Sequence, residues 1–196
     1  MSYMGTTPEK FPRNVYPGSF DPFHYSHQET HRRAEEVLGE DVSLLVVQNY
    51  IKDISLFSAS ERKDLIARCI PEEKIHIVQN NEELLEYFSR AQKIVRGIRF
   101  KLDSLEALKL FFKKPQFTAQ IMFEFWKKRC QVFVDENNKH ISSRLLKILV
   151  DQGDIETAQK YTTSEIVEAL QGKMEKTEGV CFLDANSKNY IIPLKK

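Results

Sequence analysis

Apolar residues in this chain come in two rhythms. Short unbroken runs of strand length occur around residues 11–16 and at SLLVVQ (43–48), KIHIVQ (74–79), KIVRGIR (93–99) and QVFVDE (131–136). Continuous apolarity of that length suits parallel strands buried on both faces. Between the runs lie longer stretches with apolar residues three or four apart, the spacing of a helix with one buried face. The first helix spans about 25–38 and stops at Gly39, a residue suited to a left-handed C-terminal position. Ser58 opens the second, and Glu61 completes a capping box with it. Leu65, Ile66 and Cys69 share that helix's apolar face before Pro71 breaks it. Asn80 or Asn81 caps NNEELLEYFSRA, and two helical pieces at 102–112 and 116–128 flank Pro115. Ser142 or Ser143 caps ISSRLLKILVDQGD, which ends near Gly153, and Thr163 or Ser164 caps SEIVEALQGKMEK.

Strands alternating with helices in this way predict an α/β fold with a doubly wound, five-stranded parallel sheet. Residues 1–10 read as a flexible N-terminus and 11–172 as the main domain. Residues 173–196 form a C-terminal extension, in which GVCFL and NYIIPL flank the turn signal DANSKN as a hairpin packed on the domain or as edge strands.

Composition narrows the class. Hydrophobic residues make up 41% and charged residues 29% of 196, ordinary for a soluble one-domain chain. Lys plus Arg number 29 against 28 Asp plus Glu, so the net charge of +1 gives no support to a broad polyanion binder, and nucleic acid is not an expected partner. No apolar run approaches the roughly 18–20 residues of a membrane span, and MSYMGTTPEK lacks an apolar signal core. The expectation is a cytoplasmic protein without a membrane partner. Cys69, Cys130 and Cys181 are odd in number and far apart, which fits reduced, buried thiols.

Candidate chemistry concentrates in NVYPGSFDPFHYSH, residues 14–27. The first strand breaks at Pro17-Gly18, and two histidines, His24 and His27, precede a helix. A strand, a glycine turn and a helix start make an anion site, because free N–H groups and the positive end of the helix dipole face one point. Imidazoles there can donate to phosphate oxygens. His31 extends the spacing to H-x2-H-x3-H, but it is expected one turn along on an exposed helix face, and no metal held by the protein is expected. Arg96 and Arg99 flank Gly97 at the end of an apolar strand, where a guanidinium fork suits phosphate. Ser142 and Ser143 stand at a helix start, where hydroxyls and N–H groups suit phosphate too.

YPGSFDPFHYSH resembles the N-terminal signature of the HxGH nucleotidyltransferases, and within them of the phosphopantetheine adenylyltransferases, close to YPG(S/T)FDPxTxGH. His24 replaces the usual Thr, and Ser26 replaces a Gly that lets the nucleotide approach the backbone. VRGIR resembles the family's VRGLR, ISSR its ISSS or ISST, LLKILVDQGD its Leu-x-Lys…Gly-Asp helix ending, and SLFSASERKDLI its (M/L)F-(T/S)-x-x-ER helix. The likeness covers roughly residues 13–172. It implies a Rossmann-like nucleotidyltransferase fold and transfer of AMP from Mg2+-bound ATP to 4′-phosphopantetheine, giving dephospho-coenzyme A and pyrophosphate.

By the same resemblance, His27, His24 and Lys52 are catalytic. Gly18, Ser19, Phe20, His27, Arg99, Glu106, Ser142 and Ser143 bind nucleotide, and Ser19, Lys52 and Arg96 bind the acceptor. Glu106 stands one place early for the family's Tyr-Glu pair, and DENNKH replaces the segment that carries an aromatic residue near the adenine. The family commonly forms hexamers, so a homo-oligomer is expected. Two other readings remain open: a transferase of the same superfamily with another acceptor, such as nicotinamide mononucleotide, and a nucleotide- or coenzyme A-binding protein that has lost turnover.

Overall fold

A computed structural model describes residues 11–48, 55–98, 130–134, 138, 140–176, 181–183 and 189–191. Five strands, β1 (Asn14–Gly18), β2 (Val42–Val47), β3 (Ile75–Val78), β4 (Lys93–Ile98) and β5 (Gln131–Val134), form one sheet in the order β3-β2-β1-β4-β5, with every pairing parallel. The expected fold class is observed. Helices α1 (Tyr25–Leu38), α2 (Ala59–Ile66), α3 (Asn81–Arg90), α4 (Ser143–Asp151), α5 (Ile155–Gln159) and α6 (Ser164–Lys176) accompany it. The helical pieces expected at 102–112 and 116–128 lie outside the described residues.

Alternate residues of the central strands feed two cores, as the pleat requires. Tyr16, Leu44 and Val46 join Ala34, Leu65, Ile66, Leu146, Ile166 and Leu170 on one face, which α1, α2, α4 and α6 cover. Val15, Leu45 and Ile94 join Leu84 and Phe88 of α3 on the other. Each fully buried aliphatic side chain contributes on the order of 1.5–3 kcal/mol relative to exposure.

Local signals placed most helix ends. Gly39 takes φ 63° and its N–H donates to the Glu35 carbonyl, ending α1 where expected. Ser58 and Glu61 form both halves of the capping box of α2. Asn80 caps α3 and Ser142 caps α4, while Asp154 caps the short α5, which no apolar period announced. The segments β6 (Cys181–Leu183) and β7 (Asn189–Ile191) pair antiparallel as a separate two-stranded sheet.

Two expectations are corrected. Pro17 and Gly18 do not break the first strand but complete it, opposite Leu45 and Val46 of β2. Pro17 has no N–H to give a neighbour, and the β1–β4 ladder reaches only Val15–Ile94. β1 and β4 are therefore no longer paired beyond that point, at the place where strand order reverses. His31 is not on an exposed face. It is 3% exposed, and its Nε2–H donates to the Val42 carbonyl at 2.7 Å. Its neighbour Ala34 is fully buried, so that side of α1 faces the sheet.

Candidate active site

Beyond Val15, β1 leads into the turn 19–24 at the C-terminal edge of the sheet, where open α/β sheets bind ligands. Phe20 adopts φ +48°, uncommon for a bulky residue, and the Asp21–Pro22 peptide bond is cis. The Phe20 ring lies over Gly18, and a Cβ on that glycine would come within 2.6 Å of it. The turn thus folds an aromatic side chain back onto β1 and delivers His24 to the start of α1.

His24 is the N-cap residue of α1 and is 5% exposed. Its ring stacks on that of His27, with centroids 3.6 Å apart and planes 19° apart. Phe23 stacks on His27 from 5.5 Å, and Phe20 meets it edge-on at 5.1 Å. The two imidazoles are held as one packed pair, so their ring planes are set by the fold. The backbone N–H groups of this helix start are more occupied than the sequence suggests. Tyr25 donates to the Tyr161 carbonyl at 2.9 Å, and His27 and Gln28 both donate to the His24 carbonyl. An anion at this helix start would therefore meet the rings and the helix dipole more than free amides. Ser26, where the resembling family has glycine, is 7% exposed, and its carbonyl accepts the Thr30 hydroxyl at 2.8 Å.

Three elements grip the turn. The Arg62 guanidinium, 1% exposed, donates to the Ser19 carbonyl and, at 3.0 Å, to the Val47 carbonyl. Ser143 donates to the Pro22 carbonyl at 2.8 Å, and Thr162 to that of Phe23 at 3.0 Å. Asp21 accepts from the N–H groups of Leu56 and Phe57, both at 3.1 Å, and from Lys147 Nζ at 2.7 Å. Burial pulls the Lys147 ammonium and the Arg62 guanidinium below their usual ranges, and the Asp21 carboxylate opposes both shifts. None of Asp21, Arg62 and Lys147 was singled out from sequence. Their one signal was position within the recurring segments SFDP, ER and LLK, since the contacts span 126 residues.

Of the residues named from sequence, His24, His27, Gly18, Ser19, Phe20 and Ser143 converge on this turn. Ser142 stands beside it, its hydroxyl accepting the Leu145 N–H of α4 at 3.1 Å. Arg96 lies on β4 opposite Val132, and Gly97 packs so closely that a Cβ would come 3.0 Å from the Thr30 hydroxyl and 3.1 Å from that of Tyr16. Lys52, Arg99 and Glu106 lie outside the described residues. A pocket of about 520 Å³ opens beside the turn, at the ends of β2 and β3 and the start of α2. Gln48, Leu56, Phe57, Arg62, Gln79 and Lys173 are among its walls. Among the described residues no group of three or more His, Cys, Asp or Glu is placed to hold a metal ion. No helix among them is long and apolar enough to cross a membrane.

A parallel sheet whose order reverses at β1, with an imidazole pair at the first helix start beside that reversal, fits the nucleotidyltransferase class that the motifs imply. The chain belongs to the cytidylyltransferase-like family, whose family model matches residues 15–168. It is similar to the phosphopantetheine adenylyltransferase of Bdellovibrio bacteriovorus, 30% identical over 169 residues that cover 83% of this chain and 97% of that protein. The enzyme of the same name from Coprothermobacter proteolyticus is 29% identical over 82% of this chain and 96% of its own length. That from Clostridium perfringens is 25% identical over 84% and 96%.

Proposed function

We propose that the protein is a cytoplasmic pantetheine-phosphate adenylyltransferase, moving AMP from ATP to 4′-phosphopantetheine. A phosphate oxygen of the acceptor attacks the α-phosphorus of ATP, the bond to the bridging α–β oxygen breaks, and pyrophosphate leaves. No side-chain nucleophile is required, since in-line positioning and charge stabilisation supply the rate. His27 donates to the α-phosphate as negative charge crowds its oxygens, and His24 holds the His27 ring in place from below. Ser19 and Arg96 orient the acceptor phosphate, while Ser142 and Ser143 stand on the side of the departing pyrophosphate. Arg99, Lys52 and Glu106 keep the roles their motifs imply. The 520 Å³ pocket takes the amide-bearing arm of the acceptor against Gln48 and Gln79.

Asp21, the carboxylate of the turn, spends its oxygens on Leu56, Phe57 and Lys147. It is not a ligand for Mg2+, which would be carried by the phosphates of ATP and neutralise part of their charge. The observation that carries the reading is the stacked His24–His27 pair at the head of α1, beside the point where β1 and β4 cease to pair. Likeness to three phosphopantetheine adenylyltransferases over most of their length supports the choice of acceptor.

The test is steady-state pyrophosphate release from ATP with 4′-phosphopantetheine, and mass-spectrometric detection of dephospho-coenzyme A. Product above background is expected; faster release with CTP in place of ATP, or with nicotinamide mononucleotide in place of 4′-phosphopantetheine, would move the protein to another donor or acceptor on the same scaffold. Ser26 supports a second reading, a binding protein without turnover, because its Cβ stands where the family has glycine. Tight binding of ATP with no product, and activity gained by Ser26→Gly, would establish it.

A further inference from the structure

The imidazole turn and the neighbouring pocket are held in one frame by a single carboxylate. Asp21 is 8% exposed and belongs to the turn. Its Oδ1 accepts the Phe57 N–H, and its Oδ2 accepts both the Leu56 N–H and Lys147 Nζ. Leu56 and Phe57 are walls of the pocket, and so is Arg62, which reaches back to the Ser19 carbonyl. Lys147 belongs to α4, whose first residue Ser143 also donates into the turn. One carboxylate therefore ties the turn, the pocket wall and α4 together.

Burying such charges is an expensive way merely to fasten a loop. An apolar contact of similar volume commonly holds as well as a buried ion pair or better. What two fixed carboxylate oxygens add is direction, because backbone N–H groups at 3.1 Å set the wall's distance from the turn.

We propose that Asp21 is a positioning residue that registers the pocket wall at Leu56 and Phe57 against His24 and His27, with Lys147 holding its carboxylate in place. The proposal rests on the transfer reading above. An acceptor seated in the pocket then presents its phosphate to the imidazoles in line with the α-phosphorus. Displacing reacting groups by about 1 Å is enough to cost on the order of 10²-fold in rate.

Asp21→Asn separates the tie from simple packing. The Asn oxygen can replace only one carboxylate oxygen; turned to the side of the Leu56 N–H and Lys147 Nζ, where two donors stand, it leaves its NH2 facing the Phe57 N–H. Adding Lys147→Met removes the buried ammonium left without its counter-charge, while one N–H of the wall still meets the NH2 group. The experiment follows three quantities in the wild type, Asp21→Asn, Lys147→Met and the double variant: melting temperature, amide exchange at Leu56 and Phe57, and the KM values for ATP and 4′-phosphopantetheine. Asp21→Asn is expected to melt lower, to exchange at least one of the Leu56 and Phe57 amides about 10-fold faster, and to raise the acceptor KM about 10-fold with little change for ATP. The double variant should regain melting temperature while the altered amide exchange and acceptor KM persist. Recovery of acceptor KM together with melting temperature would reduce Asp21 to a strut and overturn the proposal, as would unchanged exchange of both amides in Asp21→Asn. Should the wild type release no pyrophosphate with any acceptor, the transfer reading fails, while exchange of the two amides still decides the tie.

Discussion

His27 is pinned between Phe23 and Phe20 and covered by the His24 ring, so its orientation exists before a ligand arrives. Donors arranged in advance cost no reorganisation when charge develops, which is where most electrostatic catalysis comes from. His27→Ala should lower kcat on the order of 10²-fold. A change confined to KM in steady-state assays would instead assign His27 to ground-state binding. Gly18 acts through space rather than through φ. Gly18→Ala puts a methyl 2.6 Å from the Phe20 ring, and displacing that ring loosens the packing of His27. The expected cost is about 1–3 kcal/mol of stability in chemical denaturation, with kcat falling alongside. Arg62→Met takes the guanidinium donor from the Ser19 and Val47 carbonyls, while the Ser58 carbonyl keeps the backbone N–H of residue 62. It should destabilise by roughly 2–5 kcal/mol.

At the scale of elements, the caps give the sharpest expectations. Glu61 closes the capping box of α2 and also accepts Lys173 Nζ of α6 at 2.7 Å. Lys173 first, and then the Ser58 N–H, hold the Glu61 carboxyl down to about 2. A carboxyl lowered in the folded state adds stability that is complete above its ordinary 4.5 and is lost as pH falls through about 2. Lys173→Met should therefore melt below the wild type at pH 7, with the gap closing between pH 4.5 and 2. The side chains are 32% and 44% exposed, so the gap should be small and shrink further in salt.

These caps and the Gly39 terminus of α1 were legible in the sequence, because each is decided within a few residues. The short α5 was not, since five residues carry no apolar period. Nor was the burial of His31, whose ring is placed by the distant Val42 carbonyl. Pro17 looked like a strand end because a proline has no donor. In β1 that missing donor sits in a strand whose pairing with β4 has already ended, something only the sheet order reveals. The two histidines were readable from their place after GSFDP and before a helix, whereas their stacking, and the network of Asp21, Arg62 and Lys147, exist only after distant elements meet.

For the molecule as a whole, the candidate site lies at the C-terminal edge of the sheet, where β1 parts from β4. Ligands that bind only this folded arrangement must raise its stability. At 100 times its dissociation constant each contributes about 2.7 kcal/mol. In a chain of this length that is a rise of about 5–11 °C in melting temperature. A non-hydrolysable α,β-methylene analogue of ATP keeps turnover out of the measurement. With Mg2+, that analogue and 4′-phosphopantetheine are each expected to raise the midpoint in differential scanning calorimetry. Together they should shift it by at least the sum, because the imidazole turn and the pocket are separate places joined through Asp21. A shift with the nucleotide alone would keep the transferase class and reject the acceptor. Two shifts that exclude each other would mean that nucleotide and acceptor compete for one cavity, which in-line transfer forbids.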